Sequence, residues 1–352
     1  MELLRIVAMF FVLIVHADFF SLGAPSAGEM RTAPWTSAAA LFVEFATVVC
    51  VNLFVLISGY FSISWKMRSF AGFVFQCLFF FLGIWMLMTI SGLAPFSARD
   101  LAACFGLMEN NWFVKAYVGL YLLAPVLNAF VARSTKRELA IFIVLFYLFQ
   151  FSYGWLFIKA MSDYRGGYSV LSFVGLYFIG RYIRLHGGRW CALKRSRYLG
   201  VYLGTVALLT VAVMILGLLL PEKSGLFSVA IYELVAYNAP SVMLCSVALF
   251  LYFTRLKFQS RAVNRIAGSA FAVYLLHTSS LILPYYKQAV LFLHDRISPP
   301  LLFGVAVLAF AVAVFAVAVL ADQVRIGCWN RLWPALERAM TFFRLRIGSR
   351  RP

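Results

Sequence analysis

Apolar residues along this chain run in stretches of about twenty, separated by short connections that carry the charges, prolines and glycines. About twenty residues at 1.5 Å each cross the hydrocarbon layer of a bilayer as a helix. Ten such stretches are predicted: Met1–Ser21, Ala38–Ser62, Phe70–Gly92, Trp112–Ala132, Leu139–Ile158, Val170–Leu185, Leu199–Leu220, Glu233–Thr254, Ser269–Tyr286 and Pro300–Ala321. The expected fold class is all-α, a polytopic membrane protein of about ten transmembrane helices. The chain shows no internal repeat with a period of about 20–50 residues.

The basic residues test this count. With the N-terminus inside, 23 lysines and arginines fall on the inner side and 8 on the outer side: Arg31, Arg99, Lys115, Lys159, Arg165, Lys223, Lys287 and Arg296. That asymmetry follows the positive-inside rule and places both termini in the cytoplasm. Residues 1–321 read as one membrane-embedded domain. Residues 322–352, with Trp329, Trp333, Leu336, Phe342 and Phe343 among arginines, read as a basic amphipathic cytoplasmic tail suited to an anionic surface. An ordinary basic end with interfacial aromatics accounts for it equally well. The first stretch has small residues after it, as a signal peptide does, but only one basic residue before its apolar run, so it reads as a retained helix.

Composition narrows the function classes. Of 352 residues, 63% are hydrophobic and 12% charged, and the mean hydropathy is +0.89, which leaves no room for a sizeable soluble domain. The formal net charge of +18 would point to nucleic acid in a soluble protein. Here the charges lie in loops between spans, so topology explains them and no nucleic-acid partner is expected. Six cysteines have no paired spacing and four histidines lie far apart, so neither disulfides nor a metal site is expected.

Polar groups within the apolar stretches carry the candidate chemistry, because ionisable groups at that depth are costly and sit in a cavity or against a partner. Arg5 and His16 are eleven residues apart in the first helix, roughly 16 Å along its axis and on nearly the same face. His277, in the ninth stretch, should lie at a comparable depth. Each imidazole suits a general base near neutral pH, or equally a hydrogen bond that only packs helices. Glu44 should sit near the depth of His16, where it would orient the imidazole or pair elsewhere. Asp18 points to another face and is expected at a water-facing mouth. Lys66 and Arg68 should share the inner mouth with Arg5, a trio suited to a polyphosphate, although topology alone also accounts for them. The chain has no P-loop, dinucleotide fingerprint or nucleophile elbow, so direct attack by a substrate hydroxyl is the simplest chemical step.

Four segments in order carry a family resemblance. Glu2 to Ala8 through His16 resembles an opening helix with Arg and His separated by ten residues. Asn52 to Phe61 is similar to an F-x-I-S-G-Y/F segment and is followed by Lys66 and Arg68. Asn111-Trp112-Phe113 with Ala116 to Pro125 resembles a W-F-x-x-A-Y-x-G-L-Y-L-L-x-P span. Gly268 to His277 resembles a late G-x-x-S/T-F-x-I-Y-L-x-H helix. Together they resemble the acyltransferase-3 membrane proteins, many of which O-acetylate bacterial glycans.

The resemblance implies ten core helices in the bacterial cytoplasmic (inner) membrane and an acyl-CoA donor, acetyl-CoA, approached from the cytoplasm. It implies a hydroxyl acceptor on a surface glycan or lipid-linked sugar, and essential roles for Arg5 and His16. The expected catalytic residues are His16, Glu44 and His277, with Arg5, Lys66 and Arg68 on the donor. Trp112, Lys115 and Tyr117 of the third segment, with Asp18, are the expected acceptor contacts. Fewer basic residues follow the Ser-Gly-Tyr segment here than in many members. A proton-coupled transporter of a small solute or lipid-linked sugar is the rival reading, since a membrane His, Glu and Arg also suit a proton relay. An assembly partner for a glycan synthase is the third, and would tolerate substitution of Arg5 and His16.

Overall fold

The computed structural model describes residues 1–105, 111–156, 165–188, 190–220 and 225–348, and among them every regular element is helical. Ile158, where the fifth stretch was expected to end, and the outer cations Lys159 and Lys223 lie outside the described residues. In chain order the helices are α1 (Glu2–Ala17), α2 (Ala27–Thr32), α3 (Pro34–Thr47), α4 (Cys50–Phe61), α5 (Met67–Ile90) and α6 (Ala98–Phe105). There follow α7 (Trp112–Arg133), α8 (Lys136–Phe151), α9 (Val170–His186), α10 (Arg195–Leu219) and α11 (Gly225–Leu234). The last are α12 (Pro240–Thr254), α13 (Arg261–Gly268), α14 (Ala270–His277), α15 (Leu283–Arg296) and α16 (Pro300–Gly348).

Among the described residues, six helical segments are long and apolar enough to cross a membrane: Pro34–Phe61, Met67–Ile90, Trp112–Arg133, Lys136–Gly154, Arg195–Leu219 and Pro300–Arg338. The chain is thus a helical membrane protein. α1, α9 and α12 are apolar too, but shorter, at 16, 17 and 15 residues.

Besides the short turn at Val48-Val49 between α3 and α4, two of the expected spans are interrupted over five residues. The stretch Glu233–Thr254 leaves the helix after Leu234 and resumes only at Pro240, which opens α12 where its missing N–H is not needed. The stretch Ser269–Tyr286 ends as a helix at His277, and a turn leads to α15, whose first turn holds Pro284. Irregular backbone inside a membrane protein must find its hydrogen bonds within the protein. In the first break Tyr237 N–H donates to Gly166 O (2.8 Å), Asn52 Nδ2 donates to Tyr237 O (2.8 Å) and Asn238 Nδ2 donates to Gly154 O (2.8 Å). α16 runs through residue 321 without interruption, so the expected boundary between membrane domain and tail is not a break in structure.

α4 is the core of the assembly and packs most extensively on α9. Close approach is achieved with glycine: a Cβ on Gly59 would stand 2.3 Å from Tyr177 O, and one on Gly180 would stand 2.5 Å from Leu56 O. Small residues that let backbones touch are the usual means of joining helices in lipid, where apolar side chains gain little by leaving it. α16 is joined to α5 differently. Asp322, fully buried, accepts two bonds from Arg325 (2.8 Å each) and one from Gln76 Nε2 (3.1 Å).

Candidate active site

α1 ends two residues past its Ile14-Val15 pair, and α14 ends at His277, so the last turns of these two helices set the site. α1 packs on α14, and its position is pinned from two further sides. Tyr286 of α15 donates its hydroxyl to Leu13 O (2.7 Å), and Phe10 stacks on Phe315 of α16 with ring centroids 4.6 Å apart. This brings His16 Nδ1 within 2.9 Å of His277 Nε2.

The bonding pattern fixes the tautomers of the neutral pair. His277 is fully buried and its Nδ1 lies 2.6 Å from Val273 O. A carbonyl only accepts, so His277 Nδ1 carries the hydrogen and Nε2 is a bare acceptor. The bond between the rings then requires the hydrogen on His16 Nδ1. His16 Nε2 is left with a free lone pair and no hydrogen-bond partner among the described residues. The edge of Phe20 lies against the His16 ring, with centroids 5.3 Å apart. An orienting partner on one nitrogen and a free base on the other is the arrangement of a general-base histidine.

A family model described as an acyltransferase domain matches residues 1–320. The chain belongs to the acyltransferase-3 family. No curated protein and no solved structure matches it. The protein is a membrane acyltransferase, and the residues named from its sequence can be placed within this acyltransferase.

Glu44 is not bonded to the His16 imidazole. It is buried, with its carboxyl near the backbone N–H of Phe19 and within electrostatic reach of Asp18, so it lies beyond the end of α1 rather than beside the ring. His277 occupies the position on Nδ1 expected for the carboxylate. Asp18 was expected to face water; it is half-buried, with Oδ2 enclosed and without a hydrogen-bond partner among the described residues, as is Glu44 Oε2. Trp112, at the start of α7, packs against Tyr168 (centroids 4.4 Å) and stacks on Tyr237 (5.6 Å). Glu44 is within electrostatic reach of both tyrosines. Tyr168 and Tyr237 were not singled out from sequence. The interruption of the apolar pattern around Asn238 and Pro240 was the available signal.

Each of the basic residues has its own partner. Arg5 Nη1 pairs with Glu2 at 2.9 Å, and Arg68 stacks on Trp333 of α16, with its guanidinium carbon 5.7 Å from the ring centre. The backbone N–H of Lys66 donates to Tyr121 Oη at 3.4 Å. Among the described residues no direct contact joins Arg5, Lys66 and Arg68. Tyr117 Oη lies 3.2 Å from Ser58 Oγ and within electrostatic reach of Arg5, while Lys115 is exposed. No group of three or more His, Cys, Asp or Glu able to hold a metal occurs among the described residues.

Proposed function

We propose that this acyltransferase transfers acetyl from acetyl-CoA to a sugar hydroxyl of a surface or lipid-linked glycan, in the bacterial inner membrane. The observation that carries this reading is the bond of 2.9 Å between His16 Nδ1 and His277 Nε2, with His277 anchored on Val273 O. It leaves His16 Nε2 as a positioned base. Asymmetry of basic residues and the short apolar helices α1, α9, α12 and α14, added to the six longer segments, support ten spans with both termini cytoplasmic.

In this reaction His16 Nε2 takes the proton of the acceptor hydroxyl as its oxygen attacks the thioester carbonyl. The new ester C–O bond forms, the C–S bond breaks, and the proton passes from His16 to the departing thiolate. His277 and Val273 O hold the ring throughout. A general base of this kind contributes about 10²–10⁴-fold. Arg5, Lys66 and Arg68 are assigned to the donor phosphates, and the roughly 16 Å from Arg5 to His16 suits the extended arm of the donor. Asp18, Trp112, Lys115 and Tyr117 are assigned to the acceptor, with Glu44 beside Asp18 rather than on the base.

The test is transfer of radiolabelled acetyl from acetyl-CoA to envelope glycan in membranes, with wild type beside His16→Ala at matched expression. Label in wild type and none in the variant is the expected result. A fully active His16→Ala enzyme would overturn the assignment.

A further inference from the structure

The end of the molecule that carries the C-terminus of α9 holds an open depression lined by Lys136, Arg184, His186, Gly187, Gly188 and Arg255 among others. No carboxylate lines it, and none of Lys136, Arg184 and Arg255 is in an ion pair among the described residues. None of the cations assigned above to the donor lines it either. Three permanent positive charges gathered without a counter-charge repel one another, which an anion would relieve.

The cations are also oriented. Arg184 Nη1 donates to Tyr60 Oη (3.2 Å), and its guanidinium carbon stands 5.1 Å from the centre of that ring. The Lys136 ammonium reaches to 4.0 Å from where a Cβ on Gly188 would stand. Between them the backbone turns at Gly187 (φ −47°, ψ −36°) and Gly188 (φ +59°). Right-handed then left-handed residues in succession turn adjacent N–H groups to one side, making a concavity that favours an anion. Only glycine fits easily: a Cβ on Gly187 would lie 2.9 Å from Cys191 Sγ, and Gly188 has positive φ.

We infer that Lys136, Arg184, Arg255 and the Gly187–Gly188 turn form a binding site for a phosphate group, lined by none of the residues assigned to acyl transfer. Phosphate suits a compact cluster of oriented cations and backbone N–H donors. On the topology proposed above the site faces the cytoplasm, where both a lipid headgroup and a soluble phosphate compound present this chemistry. The site does not depend on the identity of the acyl acceptor.

Cys191 lines the same depression and is half-buried, whereas Cys328 is exposed, so the thiols report on occupancy. Burial pushes the Cys191 thiol up to about 11, so alkylation is run at mildly alkaline pH. Full-length protein in phosphatidylcholine nanodiscs is treated with maleimide, with or without inorganic pyrophosphate, and in matched discs containing phosphatidylglycerol. Peptide mapping separates Cys191 from Cys328.

A ligand at ten times its dissociation constant should slow Cys191 labelling about tenfold and leave Cys328 unchanged. Protection by pyrophosphate identifies a soluble phosphate compound as the source, and protection only in phosphatidylglycerol discs identifies a lipid headgroup. Arg255→Gln alone should weaken binding about tenfold, and the triple change Lys136→Gln, Arg184→Gln and Arg255→Gln should abolish it. Cys191 labelling in wild type that neither pyrophosphate nor phosphatidylglycerol slows overturns the proposal, whether or not the triple variant folds. So does protection that survives Arg255→Gln undiminished.

Discussion

His16 and His277 are 261 residues apart in sequence and share a hydrogen bond of 2.9 Å between Nδ1 and Nε2. The direction of that bond is set by a third atom, Val273 O, which must accept from His277 Nδ1. The second histidine therefore positions the first. His277→Ala should lower kcat for acyl transfer about 10²-fold, because the His16 ring loses both its orientation and its preferred tautomer. KM for the acyl donor should change little. His277→Gln, whose side-chain oxygen accepts from His16 Nδ1, should recover part of the loss. Steady-state kinetics on the three enzymes checks this, and equal losses for Ala and Gln would argue against a positioning role.

Glu44 gives the opposite expectation. Its carboxyl lies near the backbone of Phe19 and within electrostatic reach of Asp18, and among the described residues no hydrogen bond joins it to the imidazole. Glu44→Gln should therefore keep kcat within about tenfold of wild type, against the 10²–10⁴-fold expected for loss of the base itself. An effect on KM for the acceptor is compatible with its place beside Asp18. Loss of kcat as deep as that of His16→Ala would return Glu44 to the catalytic group.

The contrast between these two residues shows what the sequence could disclose. Depth in the membrane is legible, because it follows from counting residues along an apolar helix, and counting put His16, Glu44 and His277 at one level. Azimuth is not, because it depends on how helices far apart in sequence are packed. So the shared level of His16 and His277 was available, while the choice between Glu44 and His277 as partner of Nδ1 was not. The same limit explains the two interrupted spans. Residues 235–239 and 278–282 carry no charge, and only Asn238 with Pro240, and Thr278, Ser279 and Ser280 with Pro284, mark the breaks. What holds the breaks open, such as Asn52 donating to Tyr237 O, comes from distant helices.

The packing of α4 on α9 predicts a stability effect with no change in chemistry. At Gly59 a methyl group would meet the Tyr177 backbone at 2.3 Å, and backbone cannot rotate aside as a side chain can. Gly59→Ala should destabilise the protein by about 1–3 kcal/mol or more, as overpacking does. Gly83→Ala, where a Cβ meets nothing within 4 Å, serves as the neutral control. Thermal unfolding in detergent should show a lower Tm for the first and an unchanged or slightly raised Tm for the second, since alanine favours a helix interior over glycine.

Asp322 ties α16 to α5 through Gln76 and holds Arg325 in a fork of two bonds, each 2.8 Å. The Arg325 residue is only 9% exposed, so removing the acid strands a buried cation. Asp322→Ala should cost about 3–5 kcal/mol, and the double change Asp322→Leu with Arg325→Met should cost less than the single one. The comparison is read as Tm in detergent. A double variant weaker than the single would mean that the pair itself, and not the stranded charge, sets the stability.

The connection that leads through Lys66 into the first turn of α5 and Arg68 is held by a polar clamp, and this gives a test of donor binding that touches neither cation. Tyr177 Oη donates to Asn128 Oδ1 (2.7 Å) and accepts from Ile63 N–H (3.1 Å), while Asn128 Nδ2 donates to Ile63 O (2.9 Å). The clamp fixes the chain just after Ser62, whose φ of +66° is unusual for a residue other than glycine. Asn128→Ala leaves Ile63 O and Tyr177 Oη without their partner and frees the segment that presents both cations. If these cations bind the donor, KM for the acyl donor should rise several-fold to about tenfold, while kcat, set near His16, stays close to wild type. A rise in KM for the acceptor alone, with donor KM unchanged, would remove Lys66 and Arg68 from the donor site.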